Sequence, residues 1–204
     1  MKGNFYTVIF AAILGVVCAF LLTAAAQITK PRAEANKKAE QIKNIFAALS
    51  IPFDEKSTAE QLQATFDQSI TVNELVEGIN LYTYNSPDDA AIAVDLAGPG
   101  LWGPIKGFLA LEKDNKTIRG ITFYEQEETP GLGAEISTPA FTFQFKGKSI
   151  YDSSGKPGIV IKGKKENNPI NEVDAISGAT ITSDKVQELV NVSINKFVEA
   201  ENGR

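Results

Sequence analysis

Near the C-terminus, Asp174-Ala175-Ile176-Ser177-Gly178-Ala179-Thr180 forms a small polar turn that ends in a hydroxyl, just ahead of an amphipathic stretch of helical period. The first backbone N–H groups of a helix have no partner within it, so a turn of small residues at that point welcomes an anion. Taken alone, the pattern is better met by a polar loop that caps the helix through Thr182, Ser183 or Asp184. A second candidate is Glu125-Gln126-Glu127-Glu128-Thr129-Pro130-Gly131-Leu132-Gly133, an acidic strand end running into a tight loop. Its two glycines would let a backbone approach a planar ligand, although a solvated charge run followed by an ordinary turn suits the local pattern better. Neighbouring carboxylates in one loop give no sign of the separation that a hydrolytic acid–base pair needs. A third, Gly98-Pro99-Gly100-Leu101-Trp102-Gly103, matches the glycine spacing of a dinucleotide loop. The required helix is missing, because Pro104–Leu111 is short, apolar and strand-like; a tight loop presenting Trp102, the only tryptophan, is the better reading.

What the chain lacks narrows the chemistry further. It has 204 residues, no histidine and a single cysteine, Cys18. The commonest general base and metal ligand are therefore absent, and neither a disulfide within the chain nor a cysteine-held metal or iron–sulfur centre can form. No metal site and no bond-making catalytic residue is expected. Redox chemistry would have to come from a bound organic cofactor. A net charge of −5 argues against nucleic acid as a partner.

The elements that must position these residues begin with an anchor. Residues 1–4 are a short tail, and residues 5–26 contain no charge. As a helix this run would be about 33 Å long, enough for a hydrocarbon core of about 30 Å. A cleaved signal peptide would use Lys2 and the Ala24-Ala25-Ala26 run, but the apolar stretch exceeds the usual length of such a segment. Residues 27–50 carry apolar positions at helical spacing (Ala35, Ala39, Ile42, Ile45, Phe46, Leu49) and predict a juxtamembrane helix, with Pro31 suiting a kink or restart. A helix packed on its own domain fits that pattern equally well. Lys30, Arg32, Lys37, Lys38 and Lys43 outnumber Lys2, so charge counting would put the large domain in the cytoplasm, but long domains can translocate regardless of charge.

Residues 51–90 predict a helical and irregular connection, with Ser57-Thr58-Ala59-Glu60 as a capping box opening a helix to about Phe66. Short β-rich runs follow at 79–84, 90–97, 105–111, 117–124, 141–145 and 159–162, with clean alternation in Phe141-Thr142-Phe143-Gln144-Phe145. A helix over about 183–199 closes the chain. The expected fold is α+β, a mostly antiparallel sheet with helices on it, and residues 91–204 would form the functional domain.

The Asp174–Thr180 turn resembles the D-x-x-[ST]-G-A-T flavinylation signature of FMN-binding domains, and Glu128–Gly133 resembles their E-T-P-G-L-G loop. Two motifs in the family's order identify the chain as a member. The resemblance implies FMN held covalently through a phosphoester to Thr180, installed by a separate flavin transferase. It implies backbone donors to the phosphate from Ser177, Gly178 and Ala179, with Asp174 serving recognition by the transferase or assisting a metal there. Thr129, Leu132 and Gly133 would pack near the isoalloxazine, with Glu128 polar at its rim and Trp102 either stacked nearby or anchoring its loop. Gly100-Leu101-Trp102, Gly107–Glu112, Thr122–Gln126 and Phe145–Lys148 resemble the branch comprising the C subunits of sodium-translocating NADH:quinone reductases. That branch implies a single-pass protein of the bacterial inner membrane, its domain in the periplasm, relaying electrons between partner subunits of a complex that passes them from NADH to quinone and exports Na⁺. The G subunits of Rnf complexes, with ferredoxin as donor, are the alternative branch; a membrane-anchored binding module without flavin is the alternative outside redox chemistry.

Overall fold

The computed structural model describes residues 2–203 apart from 77, 88 and 164–169, with side chains from Phe5 onward. Helix α1, Lys2–Ala48, is continuous and contains Pro31, so the expected restart does not occur. The chain divides into two units, residues 1–39 and 40–204. In the first, α1 exposes Phe5, Tyr6, Phe10, Ile13, Leu14, Phe20 and Leu22 along its length. It is long and apolar enough to cross a membrane and fits a membrane anchor.

The second unit begins with the last turns of α1, where Ile42, Ile45, Phe46, Ala48 and Leu49 are buried. Helix α2, Ala59–Ser69, follows. Its capping box is made by Thr58 and Gln61, one residue later than Ser57 and Glu60 would place it. The box forms where both reciprocal bonds are met: Gln61 N–H donates to Thr58 Oγ1 at 3.3 Å and Thr58 N–H to Gln61 Oε1 at 2.9 Å.

Strands β1 (Ile70–Val76), β2 (Ile79–Tyr84), β3 (Ala91–Pro99), β4 (Pro104–Glu112) and β5 (Ile118–Glu125) pair in that order into one antiparallel sheet. Of the two strands within 51–90, β2 coincides with the β-rich run expected at 79–84, whereas β1 falls where only a helical and irregular connection was expected. β1 is an edge strand with most of its residues exposed, and its apolar residues Ile70, Val72, Leu75 and Val76 lose strict alternation where the register shifts between Glu74 and Val76, which hid it. β4 is buried along most of its length because both sheet faces are covered.

On one face Leu81, Val94, Leu96, Leu109, Leu111, Ile121 and Phe123 pack with helix α4, Thr180–Asn202, through Val186, Leu189, Val190, Ile194 and Phe197. On the other, rings run from Phe46 through Phe66, Tyr82 and Phe108 to Tyr124, with centroids 5.2–6.4 Å apart. Burial pushes the Tyr82 phenol well above its ordinary range, and the Asp95 carboxylate beside it adds to the shift. The end of α1 sits directly on β5: a Cβ at Gly120 would stand 2.6 Å from the Ala48 carbonyl oxygen, and Thr122 Oγ1 donates to Asn44 O at 3.1 Å.

Phe141–Phe145 is not a strand. Pro139–Thr142 is a short helix, α3, continued by a 3₁₀ turn over Phe143–Phe145. Pro139 begins the helix, where its missing N–H costs nothing. Phe141 and Phe145 then fall on one side, i and i+4, with ring centroids 5.4 Å apart, while Phe143 between them is 74% exposed. A strand would have put all three on one face. Finally β6 (Val160–Lys162) and β7 (Glu172–Asp174) make a small parallel pair, and the chain passes from β7 through the small-residue turn into α4.

Candidate functional site

Three loops converge on the first turn of α4. The turn itself is closed by Ala179 N–H donating to Ile176 O at 3.1 Å, with Gly178 at φ +78°, a conformation that a side chain would strain. Ser183, almost fully buried, holds it from below: its Oγ accepts from Ile176 N–H at 3.2 Å and donates to Ala179 O at 3.0 Å. α4 starts at Thr180 with Ala179 as its cap residue, and no side chain caps the helix. No acidic residue occupies the first turn either. The loop therefore does not cap through Thr182, Ser183 or Asp184. The first N–H groups of α4 are left for something outside the helix, and the dipole adds favourable potential for an anion. Thr180 is exposed at this point.

The second loop is Thr129-Pro130-Gly131-Leu132, a tight turn with Leu132 N–H donating to Thr129 O at 3.1 Å. Proline second and glycine third, at φ +72°, are what a type II turn demands. Gly133 follows, where the backbone runs so close to α4 that a Cβ would stand 2.6 Å from Thr182 Oγ1 and 2.8 Å from Glu128 Oε2. The third loop is the β3–β4 hairpin tip, closed by Gly100 N–H donating to Gly103 O at 2.8 Å. A hairpin here confirms that the glycine spacing is not a dinucleotide loop.

Glu128 joins all three. It is 5% exposed; Oε1 accepts from the backbone N–H of Leu101 at 2.8 Å and of Trp102 at 3.2 Å, while Oε2 accepts from Thr182 Oγ1 at 2.6 Å. Its own N–H donates to Gln126 Oε1 at 2.6 Å. Both carboxylate oxygens are thus engaged inside the protein, at the floor of the site rather than at its rim.

Two clefts meet at Thr180. The first, of about 280 Å³, is lined by Leu101, Glu128, Thr129, Leu132 and Gly133 on one side and Gly178–Thr182 on the other. Leu101, Leu132 and Ile181 give it exposed apolar walls. The second, of about 740 Å³, is lined by Lys162, Asp174, Ser177, Thr180 and Asp184 among others. The fold thus gathers Glu128, Thr129, Leu132, Gly133, Gly178, Ala179 and Thr180 around one hollow and sets Asp174 and Ser177 on the other. Trp102 is not brought in: it is 68% exposed at the hairpin tip, and its neighbour Leu101 lines the first cleft. The indole therefore does not anchor its loop in the core. Sequence reasoning missed Ile181 and Leu101 as walls, and it treated Thr182 only as a cap. Nothing local signals the Thr182–Glu128 bond, which spans 54 residues.

The FMN-binding domain profile matches residues 100–195. The C subunit of the Na(+)-translocating NADH-quinone reductase of Vibrio parahaemolyticus is 37% identical over 134 residues, covering 65% of this chain and 51% of its own length. The Yersinia pestis protein of that name is 42% identical over 113 residues, covering 55% of this chain and 41% of that one. The chain spans about half the length of the Vibrio relative it matches. The crystal structure of the corresponding C subunit from Parabacteroides distasonis superposes with a TM-score of 0.69 at 29% identity, covering 84% of this chain and 94% of that one. NqrC from Shewanella oneidensis gives 0.68 at 22% identity, with 82% and 99% covered, a likeness of fold. The three-loop site lies within the segment that matches the FMN-binding domain, from its first residue, Gly100, to the start of α4, and the chain shares the α+β fold of the solved C subunit from Parabacteroides distasonis.

Proposed function

We propose that the chain is a membrane-anchored electron-transfer subunit of a Na⁺-translocating NADH:quinone reductase, with FMN joined by its phosphate to Thr180. One observation carries this reading: an exposed threonine hydroxyl opens a helix whose N-terminus no side chain caps, beside a cleft with apolar walls. An uncapped helix start suits a phosphate, and exposed leucine and isoleucine side chains suit a flat aromatic ring, so the residues fit the group.

In attachment, Thr180 Oγ would form the P–O bond to the flavin phosphate as the phosphoanhydride bond of an activated flavin donor breaks on a flavin transferase, with the departing phosphate group leaving as the other product and the hydroxyl proton released to it or to solvent. Ser177, Gly178, Ala179 and the first turn of α4 supply the polar surroundings, and Asp174, beside Ser177 in the second cleft, marks the turn for the transferase. When bound, the flavin accepts and releases single electrons; the chain's residues hold it and shape its surroundings. Thr129, Leu132 and Ile181 exclude water from one flank. Partners are the other subunits of the reductase complex and membrane lipid around α1. The domain lies on the periplasmic side of the inner membrane, where a freely dissociating cofactor would be diluted away and a tether keeps it.

The curated and solved relatives are named as C subunits of the reductase, which favours this complex over an Rnf-type assembly. The test is intact mass spectrometry of the full chain co-produced with a flavin transferase. An FMN-sized adduct is expected on the wild type and none on Thr180→Val, which keeps the shape and removes the acceptor oxygen. An unmodified wild type would favour the binding module without flavin. An adduct surviving in T180V would move the attachment elsewhere.

A further inference from the structure

The floor of the site holds a charge that an anion-binding pocket would do better without. Glu128 lies beneath the first cleft, 5% exposed, and among the described residues no lysine or arginine pairs with it. Its three donors are two backbone N–H groups and one hydroxyl. Two loops are built around its oxygens. A Cβ at Gly100 would collide with Oε1, and one at Gly133 would stand 2.8 Å from Oε2. The carboxylate is therefore part of the design of both loops.

Its presence does not help retain a phosphate, since like charges repel and burial deprives this one of screening by water and salt. With a covalent link holding the cofactor, retention does not depend on local attraction. What an unscreened negative charge does affect is the addition of an electron to a neighbouring group.

We propose that Glu128 is a positioning residue that locks the hairpin tip to the start of α4, and that its buried charge holds the reduction potential of the flavin low. The proposal rests on the covalent-FMN reading and deepens it. Two properties separate charge from geometry here. Glutamine at 128 keeps volume and can accept from Leu101 and Trp102 N–H through its oxygen, while its amide donates to the Thr182 hydroxyl; the charge is lost and the direction of the Thr182 bond is reversed, a change that Thr182→Val controls for. Thr182→Val does the reverse, removing one hydrogen bond and keeping the charge.

The experiment is a spectroelectrochemical titration of the flavin in the full chain in detergent, for the wild type, Glu128→Gln, Glu128→Asp and Thr182→Val. E128Q is expected to shift the midpoint upward, by an amount that persists from dilute to concentrated salt, because ions cannot reach the buried position. E128D and T182V are expected to stay near the wild type. The proposal is overturned if E128Q titrates like the wild type, if its shift disappears in high salt, or if T182V rises as far as E128Q. Should E128Q not accumulate, the other two variants still decide it: both disturb the hydrogen bonding and keep the charge, so an upward shift in either overturns the proposal and unshifted values support it. A wild type without flavin sinks the covalent-FMN reading and this proposal together. Flavin present with an unmoved potential sinks this proposal alone.

Discussion

Replacing Gly133 by alanine adds one methyl group at the tightest point of the site. The position is not in the left-handed region, so the backbone itself would accept a side chain. The obstacle is steric: the new Cβ would stand 2.6 Å from Thr182 Oγ1, 2.8 Å from Glu128 Oε2 and 2.9 Å from Glu128 Cβ. Thr182 and Glu128 are both buried, so neither has open space to move into. Forcing them apart removes a hydrogen bond to a charged group, a loss of about 1.5–3 kcal/mol. Overpacking adds about 1–3 kcal/mol. Reduced freedom of the unfolded chain offsets about 0.4–1 kcal/mol of this. The net is about 3 kcal/mol of destabilisation, which for a chain of this size is a fall in Tm of about 6–12 °C. Circular dichroism melts of the full chain in detergent would measure it. Gly131→Ala is the control, because that glycine has φ +72° and nothing within 4 Å of its added Cβ; only the left-handed strain of about 1–2 kcal/mol applies there. In a Thr182→Ala background the cost of G133A should fall by about half, since the hydroxyl with which the methyl collides is gone. A Tm for G133A within a degree or two of the wild type, or strict additivity with T182A, would refute the packing argument.

Two further outcomes follow from charge and topology. The Arg119 guanidinium bonded to Asp89 holds that carboxyl below the usual carboxylate range, and the Ser154 hydroxyl together with backbone donors does the same for Asp152. Both groups keep their protons off more readily when folded than unfolded, so their contribution is complete above the ordinary carboxylate range and drains away as the pH falls through the depressed folded values. Urea midpoints should therefore hold from pH 7 to about 5 and decline below about 4, with Asp152→Asn flattening part of the decline. For topology, a reporter fused after Arg204 should be active only as a periplasmic type; activity of a cytoplasmic reporter there would place the FMN domain inside.

Much of the architecture was legible because local chemistry agreed with the fold. The β3 to β5 runs, the glycine-closed hairpin at 100–103 and the amphipathic face of α4 all appear where periodicity and turn residues put them. Three features were not legible, each for a physical reason. β1 hid because its apolar residues depart from strict alternation at the register shift between Glu74 and Val76, which an exposed edge strand tolerates. Phe141-Thr142-Phe143-Gln144-Phe145 alternates in type yet is helical, since Pro139 starts a turn and one phenylalanine of the three was free to remain exposed. At the site, the two motifs could be recognised, but their junction could not. Glu128 reads as the end of a solvated acidic run until Leu101, Trp102 and Thr182 are seen to surround it.

The five-stranded meander can form from neighbours in sequence, each strand folding back on the last. The cleft beside Thr180 cannot. Glu128 must meet Leu101, 27 residues before it, and Thr182, 54 residues after it, before the walls exist at all. Contacts of such separation carry the largest loop-closure cost and form late. A maturation enzyme that reads this hollow as well as the seven-residue turn would meet it only in chains that have finished folding. Cofactor loading would then act as a checkpoint, leaving unfinished or misfolded copies unmodified and marking by colour the fraction that is ready for assembly.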